Sequence, residues 1–191
     1  MKVFYTTSLR GVDGYRPILE SIYKIIEDLG HTNLDKVLFN IPDKDGFYKG
    51  SHSEKVDHFK RMMTCIKDAD VIVLEVSTHS LSMGYLLQKA LEIGKPVIAL
   101  HLSGRDPFFL QGIENEKLQI IEYKEDELEQ ALSASLDYAQ GMSDVRFNFF
   151  ISPSIGAYLD WISKKKKIPR SVFLRSLIQK QMEADSEYLK N

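Results

Sequence analysis

The apolar positions of this chain switch several times between strand-like runs and helix-like spacing. Lys2 to Thr6 is β-branched and aromatic and predicts a first strand, followed by a loop from Thr7 to Gly14 that carries two glycines. Between Tyr15 and Leu29, Ile18, Leu19, Ile22, Ile25, Ile26 and Leu29 fall on one helical stripe, with Gly30 placed to end the helix. Val37-Leu38-Phe39 predicts a short second strand, and the polar stretch Asn40 to Ser53 a long loop. A helix from about Glu54 to Lys67 leads into a third strand, Val71–Val76. Met83 to Ile93 predicts a helix closed by Gly94. Pro96–Leu100 and Leu118–Tyr123 predict two more strands, and acid-rich Lys124–Tyr138 an amphipathic helix.

Strands alternating with helices predict an α/β fold, a Rossmann-like parallel sheet flanked by helices, over residues 1–140. In such sheets ligands bind at the carboxyl ends of the strands, so the loops after strands one and three are the places to look. Beyond the Gln140–Asp144 linker the pattern changes to one strand, Val145–Ile151, and two helices. Ser152-Pro153 reads as an N-cap with proline at N1, and Ile155, Tyr158, Leu159 and Ile162 give the first helix its apolar face. After a turn at Lys167-Ile168-Pro169-Arg170, Ser171 reads as the next N-cap, ahead of Val172, Phe173, Leu174, Leu177 and Ile178.

Charge reinforces that division. The 191 residues carry a net charge of −2. Residues 145–191 hold nine Lys/Arg against four acids, which makes that tail +5 and leaves −7 for residues 1–144. An acidic body with a basic tail suits a fused nucleic-acid-binding module, and equally a solvated lysine run. The longest apolar runs are strand-sized, far short of the ~20 residues that span a bilayer, so no membrane partner is expected. The first five residues read directly as a strand rather than as a signal peptide, and the single cysteine, Cys65, suits a reducing compartment; the expected location is the cytoplasm. Five scattered His and one Cys show no metal-ligand spacing, and neither a metal nor a cofactor is expected.

The first loop, Thr6-Thr7-Ser8-Leu9-Arg10-Gly11, offers hydroxyls, a guanidinium and a glycine just after a strand, a credible phosphate cradle. The third strand leads into a second hydroxyl-rich loop, Ser77 to Ser82, on the same side of the sheet. Ser8-Leu9-Arg10-Gly11, Ala69-Asp70, Glu75-Val76-Ser77, Ser80-Leu81, Gly84-Tyr85 and Ser103-Gly104-Arg105 together resemble the nucleoside 2-deoxyribosyltransferase family, most closely its deoxynucleoside 5′-monophosphate N-glycosidase branch. The resemblance implies that Ser8, Arg10, Gly11 and Ser80 bind a nucleotide phosphate and deoxyribose, with Ser82 and Gly84 lining the same loop.

The family also supplies a strand-one tyrosine, a helix aspartate and a glutamate after Gly-Tyr. By the same resemblance these positions hold Phe4, Met62 and Leu86. Cleaving an N-glycosidic bond with retention needs a carboxylate nucleophile and a proton-managing partner. None of those three side chains supplies either. A pocket without catalytic residues is therefore expected. Glu75 reads as a brace for its loop and Asp57 and His58 as a solvated helix face, although Glu75 and Asp57 are also the carboxylates from which a relocated activity would draw. His79 reads as an ordinary loop residue, and His101 is expected at the cleft.

The tail, with its Ser171–Ile178 phrase S-V-F-L-R-S-L-I, resembles a ribbon-helix-helix domain. That resemblance implies a homodimer whose paired strands enter DNA, with Arg146 and Asn148 facing base edges and Arg170 and Ser171 near phosphate. The combined expectation is a ligand-responsive, DNA-binding regulator. An active nucleoside 2-deoxyribosyltransferase or deoxynucleotide N-glycosidase with relocated residues, and a non-catalytic oligomerisation protein, are the alternatives.

Overall fold

A computed structural model describes residues 1–36, 49–141, 149–166 and 168–185. The chain forms two compact units, Met1–Asp144 and Val145–Asn191. In the first, strands β1 (Lys2–Thr7), β2 (Thr32–Asn33), β3 (Val71–Glu75), β4 (Val97–Leu102) and β5 (Leu118–Tyr123) form one parallel sheet in the order β2-β1-β3-β4-β5. Helices α1 (Val12–Asp28), α2 (His52–Asp68), α3 (Leu81–Glu92) and α4 (Leu128–Gly141) cover its faces.

The two faces follow from the alternation of side chains along a strand. Val3, Tyr5, Val71, Val73, Ile98 and Leu100 pack against Ile22 and Ile26 of α1 and Leu132, Leu136 and Ala139 of α4. Phe4, Ile72, Leu74, Val97 and Ala99 pack on the opposite side against Met62, Cys65 and Ile66 of α2 and Met83, Leu86, Leu87 and Ala90 of α3. Because both faces are covered, β3 is buried at every residue, which is why its sequence reads as an unbroken run. Gly30 (φ 80°) and Gly94 (φ 76°) end α1 and α3 in the left-handed conformation that a side chain disfavours.

Several boundaries differ from the sequence expectation. A short 3-10 turn, Leu9–Gly11, runs directly into α1, so the first loop is shorter than Thr7–Gly14. Helix α2 starts at His52, because Ser51 and Glu54 form a reciprocal capping box. Helix α4 continues to Gly141, through the first residues of the expected linker. Strand β2 lies at Thr32–Asn33; the expected strand 37–39 lies outside the described residues.

In the second unit, α5 (Pro153–Lys166) and α6 (Arg170–Ala184) bury Leu159, Ile162 and Phe173 between them, with Ile168 and Leu174 alongside. The Ser163 hydroxyl donates to the Ile168 carbonyl (2.6 Å) and fixes the turn. Ile155 N donates to Ser152 Oγ (3.4 Å), consistent with the expected cap. The expected strand 145–151 is described only from Phe149 to Ile151, which are not in a strand here; a ribbon would need a second chain to supply its hydrogen-bond partners.

Candidate functional site

The strand order reverses at β1, whose neighbours are β2 on one side and β3 on the other. Loops leaving β1 and β3 therefore diverge and leave a crevice between them, the usual ligand position in an open parallel sheet. A cavity of about 470 Å³ lies there, a volume suited to one small ligand. Tyr5 to Leu9 line it from the end of β1, Ser80 to Met83 with Tyr85 and Leu86 from α3, and His58, Phe59, Arg61 and Met62 from α2. Asp35 also lines it.

Of the sequence-predicted ligand residues, Ser8, Ser80 and Ser82 come together on this cavity. Ser8 is buried, and its Oγ accepts from the Arg10 amide at 3.4 Å. Ser80 occupies the N-cap position of α3 while its side chain makes no capping hydrogen bond. Arg10 and Gly84 do not line the cavity, and the surroundings of Gly11 lie outside what the structure describes. Arg10 is exposed on the 3-10 turn, which carries it past the strand end, and Gly84 lies one turn into α3 with open space around it. His79 and His101 are also absent from the lining; His101 is buried, with Nδ1 3.3 Å from the Leu102 carbonyl.

The positions that the family resemblance marks as catalytic are apolar and share one cluster. Phe4, Met62 and Leu86 are buried together with Met83, and Met62 and Leu86 also form part of the cavity wall. Strand alternation puts the neighbouring tyrosine, Tyr5, in the opposite cluster, and its buried hydroxyl has no hydrogen-bond partner among the described residues.

Charged groups on the wall were not legible as a site. Arg61 Nε lies 3.3 Å from Asp35 Oδ2, and its Nη2 lies 3.0 Å from His58 Nδ1. Burial, reinforced by the Arg61 charge, pushes the His58 imidazole below its ordinary value against the opposing pull of Asp35. His58 is thus half-buried on the cavity rather than on a solvated face; Asp57 is exposed and off it. Phe59 and Tyr85 stand with ring centroids 6.0 Å apart, both about half exposed. The signal available in sequence was the spacing of His58, Phe59, Arg61 and Met62 on one face of a helix, but it carried no indication of Asp35.

Glu75 is 2% exposed and does not line the cavity. Burial raises its carboxyl above the ordinary range, opposed by hydrogen bonds from Ser77, Thr7 and Tyr123. Among the described residues no group of three or more His, Cys, Asp or Glu could hold a metal ion, and no helix is long and apolar enough to cross a membrane.

In the second unit, Arg146 and Asn148 lie outside the described residues. The Arg170 guanidinium pairs with Asp160, and Pro169 rather than Ser171 occupies the N-cap of α6, because Ser171 already lies within the helix.

No family model matches the chain. It is 30% identical over 146 residues to a protein of Thermofilum pendens that carries the provisional name 2′-deoxynucleoside 5′-phosphate N-hydrolase 1, covering 72% of this chain and 99% of that one. It is 30% identical over 141 residues to 5-hydroxymethyl-dUMP N-hydrolase of Danio rerio, covering 69% of this chain and 93% of that one. The solved CMP N-glycosidase BcmB of Clostridium botulinum, 17% identical with a TM-score of 0.50, covers 70% of this chain and 98% of its own and shows likeness of fold.

Proposed function

This chain belongs to the nucleoside 2-deoxyribosyltransferase-like family of 2′-deoxynucleoside 5′-phosphate N-hydrolases, and from that premise we propose that its β1/β3 cleft holds a nucleotide or nucleoside phosphate without cleaving it. The observation that carries this reading is the packing of Phe4, Met62 and Leu86 into one buried apolar cluster at the three positions marked as catalytic by resemblance. A leucine cannot attack an anomeric carbon, and a methionine cannot move a proton. The retained hydroxyls of Ser8, Ser80 and Ser82 suit a phosphate, while the Phe59–Tyr85 pair suits the face of a nucleobase.

One observation favours a second reading. Asp35 places a carboxylate on the cavity wall, which a relocated glycosidase activity would require. Its pairing with Arg61 argues for a structural duty instead. Calorimetric titration with the common deoxynucleoside monophosphates and 5-hydroxymethyl-dUMP, with chromatography for released base, separates the two. Binding without base release is the expected result. Release of base that disappears in Asp35→Asn would instead establish an active enzyme.

For the second unit we propose a DNA-binding, dimer-forming role, with the cleft ligand as its regulator. Its support is the +5 charge of residues 145–191 and the exposed apolar side chains Phe150, Ile155, Trp161 and Ile178, which a lone pair of helices leaves uncovered.

A further inference from the structure

A carboxylate buried at the end of an otherwise apolar strand calls for a physical reason. Glu75 closes the run Val71-Ile72-Val73-Leu74 and sits in register with Thr7 of β1 and Leu100 of β4. Its Oε2 shares the Thr7 hydroxyl, at 3.1 Å, with the Glu75 backbone carbonyl, to which that hydroxyl also donates at 2.9 Å. Its Oε1 accepts from the Ser77 amide at 3.2 Å, from the Ser77 hydroxyl through a short hydrogen bond, and from the Tyr123 hydroxyl at 3.4 Å. Ser77 Oγ in turn accepts from the Leu102 amide at 2.8 Å. One side chain thus joins the carboxyl ends of β1 and β5 to the β3–α3 loop and, through Ser77, to the end of β4. Thr7 adjoins Ser8, and Ser77 lies three residues before Ser80; both serines line the cavity.

We propose that Glu75 is the positioning residue of the ligand cleft, fixing the hydroxyls of Ser8 and Ser80 relative to one another without touching the ligand. Burial makes its charged form costly, so the side chain acts through the geometry it imposes more than through stability. A leucine would fill the same space in the buried strand but would take away the acceptor of the Ser77 amide and hydroxyl and leave the Thr7 hydroxyl only the main-chain carbonyl of residue 75. A glutamine keeps an acceptor for Ser77 and presents an amide to Thr7, so it preserves the linkage. The proposal rests on the reading of the cleft as a nucleotide site, and the experiment tests the two separately.

The full chain and its variants are titrated with 2′-deoxyuridine 5′-monophosphate, and amide hydrogen exchange is followed at Ser77 and Leu102. Glu75→Leu is expected to bind roughly tenfold or more weakly, the scale of losing charge-assisted hydrogen bonds, and Glu75→Gln to stay within about threefold of the parent. Val73→Ala, which creates a void in the same strand, controls for general destabilisation and is expected to leave affinity unchanged. Protection at Ser77 and Leu102 is expected to fall in Glu75→Leu and to persist in Val73→Ala. Unchanged protection at those two amides overturns the proposal, as does a Val73→Ala variant that weakens binding as much as Glu75→Leu. If the parent chain binds no nucleotide, the ligand reading falls, and selective loss of protection in Glu75→Leu alone decides for the positioning role.

Discussion

Leu86 faces two ways, packing beside Met62 and Met83 in the core while closing part of the cavity wall. Writing the family's glutamate back into that place puts a carboxylate beside Met62 and Met83, which offer it no hydrogen bond. We expect Leu86→Glu to lower stability by about 3 kcal/mol at neutral pH, since burial in apolar surroundings raises a carboxyl by several pKa units. The sign is explicit. A carboxyl whose folded pKa lies above its unfolded value favours the fold at acidic pH, so the loss shrinks below that raised pKa, and melts at low and neutral pH measure it. No base release is expected from this variant alone, because Met62 and Phe4 still supply no proton-handling partner. At this scale the sequence singled out Ser8, Ser80, Ser82, Met62 and Leu86, which line the cavity, together with Arg10, Gly84 and His101, which do not. It did not disclose the Asp35–Arg61–His58 cluster, because Asp35 and α2 are far apart in the chain and only folding brings them together.

At the scale of elements, α2 decides what the cleft presents. His58, Phe59, Arg61 and Met62 reach the cavity because one face of that helix overhangs the β1 end. Its start is set by Ser51, whose Oγ accepts from the Glu54 amide at 3.3 Å while the Glu54 carboxylate accepts from the Ser51 amide at 2.7 Å. Removing the cap by Ser51→Ala should cost about 1 kcal/mol, read by thermal or denaturant melts, while nucleotide affinity stays the same because the cavity-lining turns lie further along. This cap was legible as S-x-x-E, yet the periodicity of apolar residues alone starts the helix two positions late. Caps act through backbone donors and leave no trace in hydrophobic spacing. The 3-10 turn after β1 was similarly hidden. Leu9, Arg10 and Gly11 read as part of a loop, although they form a turn that passes directly into α1.

For the whole molecule, the two units carry opposite net charge, −7 before residue 145 and +5 from there on. Electrophoretic mobility shift of the full chain on promoter fragments should show binding that weakens steeply as salt rises, since phosphate neutralisation releases counterions. Sedimentation at the same concentrations should give a dimer, and Phe150→Asp, at a fully exposed apolar position, should shift it toward monomer. A chain that stays monomeric and silent on DNA at low salt would instead favour a purely interaction-based tail. Much about this protein was fixed by local chemistry. Strand and helix periods specify the α/β class, covered faces write Val71–Leu74 of β3 as an apolar run, and hydroxyl-rich loops at strand ends carry the residues of the proposed ligand site. The tertiary fold alone decided the strand order that opens the crevice, the removal of Arg10 and Gly84 from its lining, and the gathering of Phe4, Met62 and Leu86 into one cluster. The physical reason is that periodicity records which face of an element is buried, whereas a site is made by the side chains of distant elements meeting across a sheet.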